Sequence, residues 1–225
     1  LKGVSTLASL SRCGVIGDVH CESEALERVL DTLESMNLEP VLCVGDLVDG
    51  DGDADVTLKL LGSRRVQCIV GNHERWFLTG EQRTLDHATQ QVNDESLAFV
   101  RSLPKMRHYQ TPNGKALLCH GVGEADEAWL LPNTKGYGLQ DIPTLRELML
   151  EDDVQFMIGG HTHERMVRVF PGLTVINVGT IHRKDEQTFA VIDFDEMRVE
   201  YYSAAADSTG KLLEELDLPM PPPVD

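Results

Sequence analysis

The 225-residue sequence contains no Cys-x-x-Cys pair, and its five cysteines are an odd number. Both facts argue against a disulfide framework and against a thiolate zinc site. Cys43, Cys68 and Cys119 stand at the ends of apolar runs and are expected to be buried and reduced, with Cys21 serving its own loop. This usage points to a reducing compartment, and a cytoplasmic location is the expectation. No segment approaches the roughly 20 apolar residues that a spanning helix needs. The first twelve residues show neither a long apolar run nor a small-residue cleavage site, so they are not expected to be a signal peptide and are set outside the fold. Cations are also scarce: 20 Lys and Arg face 37 Asp and Glu, for a net charge of −17. A long nucleic acid or an anionic membrane would need clustered Lys and Arg, so neither is expected as a partner. A small phosphorylated ligand stays compatible, because bound cations would dominate the local field.

What is present is a recurring unit. Short β-branched runs end abruptly in Gly plus a polar residue, over 13–18, 40–46, 66–72 and 155–161, and a fifth run ends at His120. Near-continuous apolar runs of this length suit strands buried on both faces. Between them, residues 22–36 place Ala25, Leu26, Val29, Leu30 and Leu33 on one helical face; 54–61 and 141–151 are predicted as shorter helices. Strand–helix alternation implies an α/β fold. Beyond residue 165 the pattern turns to strands joined by tight turns, predicted over 166–170, 173–177, 188–194 and 198–202. Residues 81–101 are polar and predicted helical, a possible lid. The Pro-rich terminus, 212–225, reads as a mobile tail. No repeat or linker divides the chain, and one domain over 1–225 is expected.

The polar residues at the strand ends form a constellation. In order they are Asp18-Val-His20, Gly45-Asp46-Leu-Val-Asp49, Gly71-Asn72-His73-Glu74, His120-Gly121 and Gly160-His161-Thr-His163. In open α/β sheets, ligands bind outside the carboxyl ends of strands. Five of the eight histidines fall in these motifs. Asp-x-His alone is a weak signal and Gly-His-x-His a rarer one; the ordered set is specific. Turn capping by Asx residues accounts for any one motif but poorly for all. Asp18, His20, Asp46, Asn72, His120, His161 and His163 are therefore candidate metal ligands. Mixed carboxylate, amide and imidazole donors suit Mn²⁺ first, with Fe, Zn, Co, Ni or Mg as alternatives. A bridging carboxylate would hold two such cations side by side.

From about Gly14 to His163 this ordered set resembles the calcineurin-like metallophosphoesterase superfamily, most closely its small prokaryotic-type phosphodiesterases. The resemblance implies a four-layer αββα sandwich, with two mixed β-sheets face to face and helices outside, and two divalent metal ions at the strand ends. It implies one metal on Asp18, His20, Asp46 and His163, and the other on Asp46, Asn72, His120 and His161. It also implies His73 as the catalytic histidine and Asp49 as the carboxylate that orients it. Such a centre generates hydroxide near neutral pH for attack on a phosphate ester.

Two departures bear on substrate. Protein serine/threonine phosphatases of the superfamily carry an arginine after the Gly-Asp-x-Val-Asp motif and another before Gly-Asn-His-Glu. Here those positions hold Gly50 and Val70. Without these guanidinium groups, bidentate recognition of a phosphoprotein monoester is disfavoured. Arg75, Arg165 and Arg183 lie near motifs and are candidate sources of positive charge. Asn72, Arg75 and His182 are expected to bind substrate. Hydrolysis of a small-molecule or nucleotide phosphodiester is the leading expectation; a protein phosphatase, a dinucleoside polyphosphate hydrolase or a non-catalytic metal-binding scaffold are the alternatives.

Overall fold

The computed structural model describes residues 8–151 and 153–224. In chain order the elements are β1 (Ala8–Ser9), β2 (Arg12–Ile16), α1 (Ser23–Ser35), β3 (Val41–Cys43), α2 (Ala54–Ser63), β4 (Gln67–Cys68), α3 (Asn72–Thr79) and α4 (Asp94–Ser102). There follow β5 (Arg107–Thr111), β6 (Gly114–Leu118), α5 (Tyr137–Gln140), α6 (Pro143–Leu150), β7 (Phe156–Gly159), β8 (Met166–Phe170), β9 (Leu173–Asn177), β10 (Thr188–Asp193), β11 (Arg198–Ser203) and β12 (Leu212–Asp217).

These strands form two mixed sheets of six, in the orders β1-β5-β6-β7-β9-β8 and β12-β11-β10-β2-β3-β4. Period-two alternation decides which face each side chain joins. Val15, Leu42, Ala190 and Ile192 of one sheet meet Ala116, Leu118, Phe156, Ile158 and Ile176 of the other in the central core. Their sequence neighbours point outward. Ile16, Cys43, Phe189 and Val191 pack beneath Leu26, Val29 and Leu33 of α1 and Leu58 and Leu61 of α2. Leu117, Met157 and Val175 pack beneath Leu145 and Leu148 of α6. Three apolar interfaces separating four layers make the αββα sandwich.

Strands β2, β3 and β4 run parallel in one sheet, and β6, β7 and β9 run parallel in the other. Their carboxyl ends therefore deliver loops from both sheets to one region, rather than from one continuous sheet edge.

Three sequence expectations are corrected. The first twelve residues are not all outside the fold: β1 pairs with β5, and Leu10 is fully buried; residues 1–7 lie outside the described residues. The expected helix over 81–101 exists only from Asp94; 81–87 is a series of turns and 88–93 is irregular. Asn93 accepts from the Ser96 N–H and so starts α4 there. The tail expected over 212–225 is largely bound. Residues 212–217 form β12 beside β11, Leu218 is buried, and the carbonyls of Pro219 and Pro222 accept from Thr174 Oγ1 and Gly172 N. Asp225 lies outside the described residues.

Phe156 is fully buried between the sheets, edge-on to Phe194 with ring centroids 5.2 Å apart. Phe156→Ala is expected to cost about 3–5 kcal/mol, read as a lower denaturant midpoint at constant slope.

Candidate metal centre

Three of the five motifs turn the backbone sharply through the left-handed region. Asp18, His20, Asp46, Asp49, His161 and His163 all have positive φ, between 34° and 68°. This conformation is unfavourable for non-glycine residues and gathers at functional sites. It turns the side chains back across the strand ends. The motif glycines are explained by the carboxylates beside them. A Cβ on Gly71 would run into the Asp46 carboxylate, and one on Gly160 into that of Asp18.

The loops are held by a buried carboxylate that the motif reading left without a role. Glu74 in the first turn of α3 accepts from the backbone N–H groups of Asp46 and Gly71 through Oε2, at 2.9 and 2.8 Å. Its Oε1 accepts from those of Leu47 and Val48, at 2.6 and 3.1 Å. Burial and the Asp46 charge push its pKa up to about 7, against the pull of those amides.

The histidine tautomers are set from outside the cluster. His20 Nδ1 donates to the Asp49 carbonyl at 2.8 Å, and His120 Nδ1 to the Val44 carbonyl at 2.8 Å. His163 Nδ1 donates to Asp185 Oδ2, also at 2.8 Å, and the His161 ring bonds the backbone of Glu127. For His20, His161 and His163 such a bond leaves an Nε2 lone pair facing inward, the usual arrangement of metal-ligating histidines. Nε2 of His20 and Nε2 of His163 lie 3.3 Å apart. Nε2 of His120 lies 3.2 Å from Asp46 Oδ2 and 2.8 Å from Asn72 Oδ1. Nε2 of His161 is buried with no hydrogen-bond partner.

Two inward lone pairs at 3.3 Å repel unless a cation lies between them, and an orphaned buried imidazole nitrogen calls for a partner. The donors group as Asp18, His20 and His163, and as Asp46, His120 and His161, each set within 4.8 Å. The residues fit divalent metal. Burial pushes His20 and His161 down to about 4, which keeps them neutral and able to ligate. His120 is the exception: burial opposes its charge, but Asp46 and Asp18 outweigh it and raise the pKa to about 10. Its positive charge offsets the two buried carboxylates, a balance that a bound cation would supply instead.

His73, at the second position of α3, donates through Nδ1 to Asp49 Oδ2 at 2.8 Å, and its Nε2 lies 3.8 Å from Asp46 Oδ2. Burial opposes the imidazolium, but the Asp49 hydrogen bond and the nearby carboxylates raise its pKa above the ordinary value. Asp49 is anchored by Arg83, whose Nη1 and Nη2 reach its two oxygens at 2.9 and 2.8 Å, and by the Thr89 N–H. Sequence reasoning missed Arg83 because it lies nine residues beyond the end of the motif, in the segment read as a lid.

The cluster opens into a cavity of about 560 Å³ lined by His73, His161, His163 and His182 together with Trp76, Trp129 and Lys184. His182, on the loop after β9, reaches Asp185 through Nδ1 at 3.1 Å. Of the expected cations, none lines it. Arg75 is held by Asp126 and Glu81, Arg165 by Glu186 and Glu214, and Arg183 by Glu22. Arg75 clamps α3 to the loop after β6, and the one Lys or Arg of the lining is Lys184. The missing arginine at position 50 also has a cause in the packing. A Cβ on Gly50 would collide with the carbonyl oxygen of His20.

The family model for the calcineurin-like phosphoesterase superfamily domain matches residues 12–197, which takes in every motif residue of the cluster. The chain belongs to the calcineurin-like phosphoesterase superfamily. It is a phosphoesterase of this metal-dependent family. A probable metallophosphoesterase of Methanothermobacter thermautotrophicus is 25% identical over 187 residues, covering 81% of this chain and 85% of the relative. A solved structure from Pyrococcus horikoshii matches at TM-score 0.69 and 15% identity, over 86% of this chain and 88% of the other. An archaeal phosphodiesterase matches at TM-score 0.54 and 14% identity, over 85% of this chain and 99% of its own. At these identities the two structures speak for the superfamily fold. No helix among the described residues is long and apolar enough to cross a membrane.

Two outcomes follow from the geometry. In Glu74→Gln an amide NH₂ would face two backbone N–H groups, so the substitution is expected to cost about 2–5 kcal/mol, measured by chemical denaturation of the metal-free protein. Metal uptake near pH 7 is expected to release protons, because a cation displaces the one on His120. Calorimetric titration with Zn²⁺ in buffers of differing ionisation enthalpy reads this; a buffer-independent heat would contradict it.

Proposed function

We propose that the protein is a dinuclear-metal phosphodiesterase acting on small-molecule or nucleotide phosphodiesters. The observation that carries this reading is the convergence of inward-facing, externally fixed Nε2 atoms on two buried carboxylates. One ion would be held by Asp18, His20, Asp46 and His163, and the other by Asp46, Asn72, His120 and His161, with Asp46 shared. When bound, such ions supply Lewis acidity, acidifying water and withdrawing charge from the phosphoryl oxygens.

The chain's own residues do the rest. His73 presents Nε2–H toward the cavity while Nδ1–H is fixed on Asp49, the arrangement needed to give a proton to a leaving oxygen. Arg83 keeps Asp49 ionised and oriented for that task. Asn72 and His182 line the cavity and would contact a bound phosphoryl group, and Lys184 adds a positive charge to the lining.

Charge favours a diester over a monoester or polyphosphate. Asp51, Asp86, Glu127 and Asp185 also line the cavity, with no guanidinium group among its lining residues. A dianionic monoester would meet this field less favourably than a monoanionic diester. A cavity of about 560 Å³ suits a small molecule.

Protein loaded with Mn²⁺ is expected to hydrolyse bis(p-nitrophenyl) phosphate and to stop on chelation. Absence of turnover with Mn²⁺, Fe²⁺, Zn²⁺, Co²⁺, Ni²⁺ and Mg²⁺ alike would sink the proposal. His73→Ala should keep its metal content while kcat falls by about 10²–10⁴-fold. Unchanged kcat in that variant would remove His73 from the mechanism.

A further inference from the structure

The chain has two tryptophans, and both line the cavity over the metal centre. Trp76 follows His73 on α3, and its ring centroid lies 4.6 Å from that of the histidine. Trp129 lies on the loop after β6, 5.3 Å from the His161 ring in an edge-to-face contact. Trp76 Nε1 donates to Glu127 Oε1 at 2.9 Å, joining the two segments that carry the rings. Yet Trp129 remains 60% exposed. Trp is highly buried on average, and the only ring contact of Trp129 among the described residues is with His161. An indole so exposed, held edge-to-face beside a candidate metal ligand in the lining of a cavity, offers a platform for a planar ligand.

Its surroundings restrict the occupant. Asp86 at the rim has no hydrogen-bond or ion-pair partner among the described residues, which leaves an acceptor free for N–H groups. An aliphatic ester would use neither the flat indole nor the acceptors. A planar ring bearing N–H donors uses both. Base–aromatic stacking tolerates any base, since every base has a π-face.

We propose that Trp129, with Trp76 beside it, stacks the base of a nucleoside phosphodiester and so sets the substrate class of this site. The proposal rests on the phosphodiesterase reading above. The base lies on the indole, its N–H edge toward the acidic rim, and the attached phosphate reaches the histidine and carboxylate cluster. Stacking of this kind contributes about 5- to 150-fold in affinity.

The test compares two esters with the same leaving group: thymidine 5′-(p-nitrophenyl phosphate) and methyl p-nitrophenyl phosphate. Metal-loaded wild type is expected to prefer the nucleoside ester by about tenfold or more in kcat/KM. Trp129→Ala should collapse that preference chiefly through KM, and Trp129→Phe should restore most of it. A preference that is absent in wild type, or that survives Trp129→Ala, overturns the proposal. A second readout needs no turnover. Because both tryptophans lie at this cavity, their fluorescence reports it directly. AMP should quench the emission saturably, and ribose 5-phosphate should not. Equal responses to the two, or none to AMP, overturn the proposal. If neither ester is hydrolysed yet AMP alone quenches, the phosphodiesterase reading fails and the base-stacking site stands.

Discussion

The site depends on one buried carboxylate that touches neither a candidate metal position nor the cavity. Glu74 gathers four backbone N–H groups, three from the loop after β3 and one from the loop after β4. Those loops carry Asp46, Asp49, Asn72 and His73. A single side chain thus sets the distance between Asp46 and His73. The amides are buried, so without Glu74 they would be unsatisfied. The same contact starts α3, because Gly71 is its N-cap and Glu74 stands three positions on. Helix initiation and ligand placement are one event.

Around this anchor the residues are oriented from behind. Backbone carbonyls hold Nδ1 of His20 and His120, and carboxylates hold Nδ1 of His73 and His163. Tautomers and ring planes are therefore fixed in the polypeptide itself. Left-handed backbone at Asp18, His20, Asp46, His161 and His163 is retained because the surrounding packing over-determines it. Thr180 adds a tie across the sandwich, its hydroxyl donating to the Asp18 carbonyl at 2.7 Å.

How much of this was legible follows from where the information lies. Fully buried parallel strands ending in Gly-Asp, Gly-Asn and Gly-His announce themselves locally, so the strand ends and the seven candidate ligands could be read from sequence. Strand β5 could not. Arg107, His108 and Gln110 are polar, and only Tyr109 and Thr111 face inward, so its alternation is short. Helix α3 was hidden because its first residue had been assigned to a strand end. Gly80 in the left-handed region at its C-terminus was a usable sign. The partners of the arginines were out of reach altogether. Arg75 meets Asp126 across 51 residues, and Arg83 meets Asp49 across 34. Such pairings belong to the tertiary structure, and no local periodicity encodes them.

Gly50 carries this geometry into the next loop. Its α-carbon rests against the carbonyl of His20, leaving no room for a side chain. An arginine there would press on the main chain of a candidate ligand before its guanidinium could reach a phosphate. The absence of a guanidinium group at this position thus follows from the path of the loop. Placing any side chain there would require lengthening or rerouting the segment after Asp49, a change that point substitution does not supply.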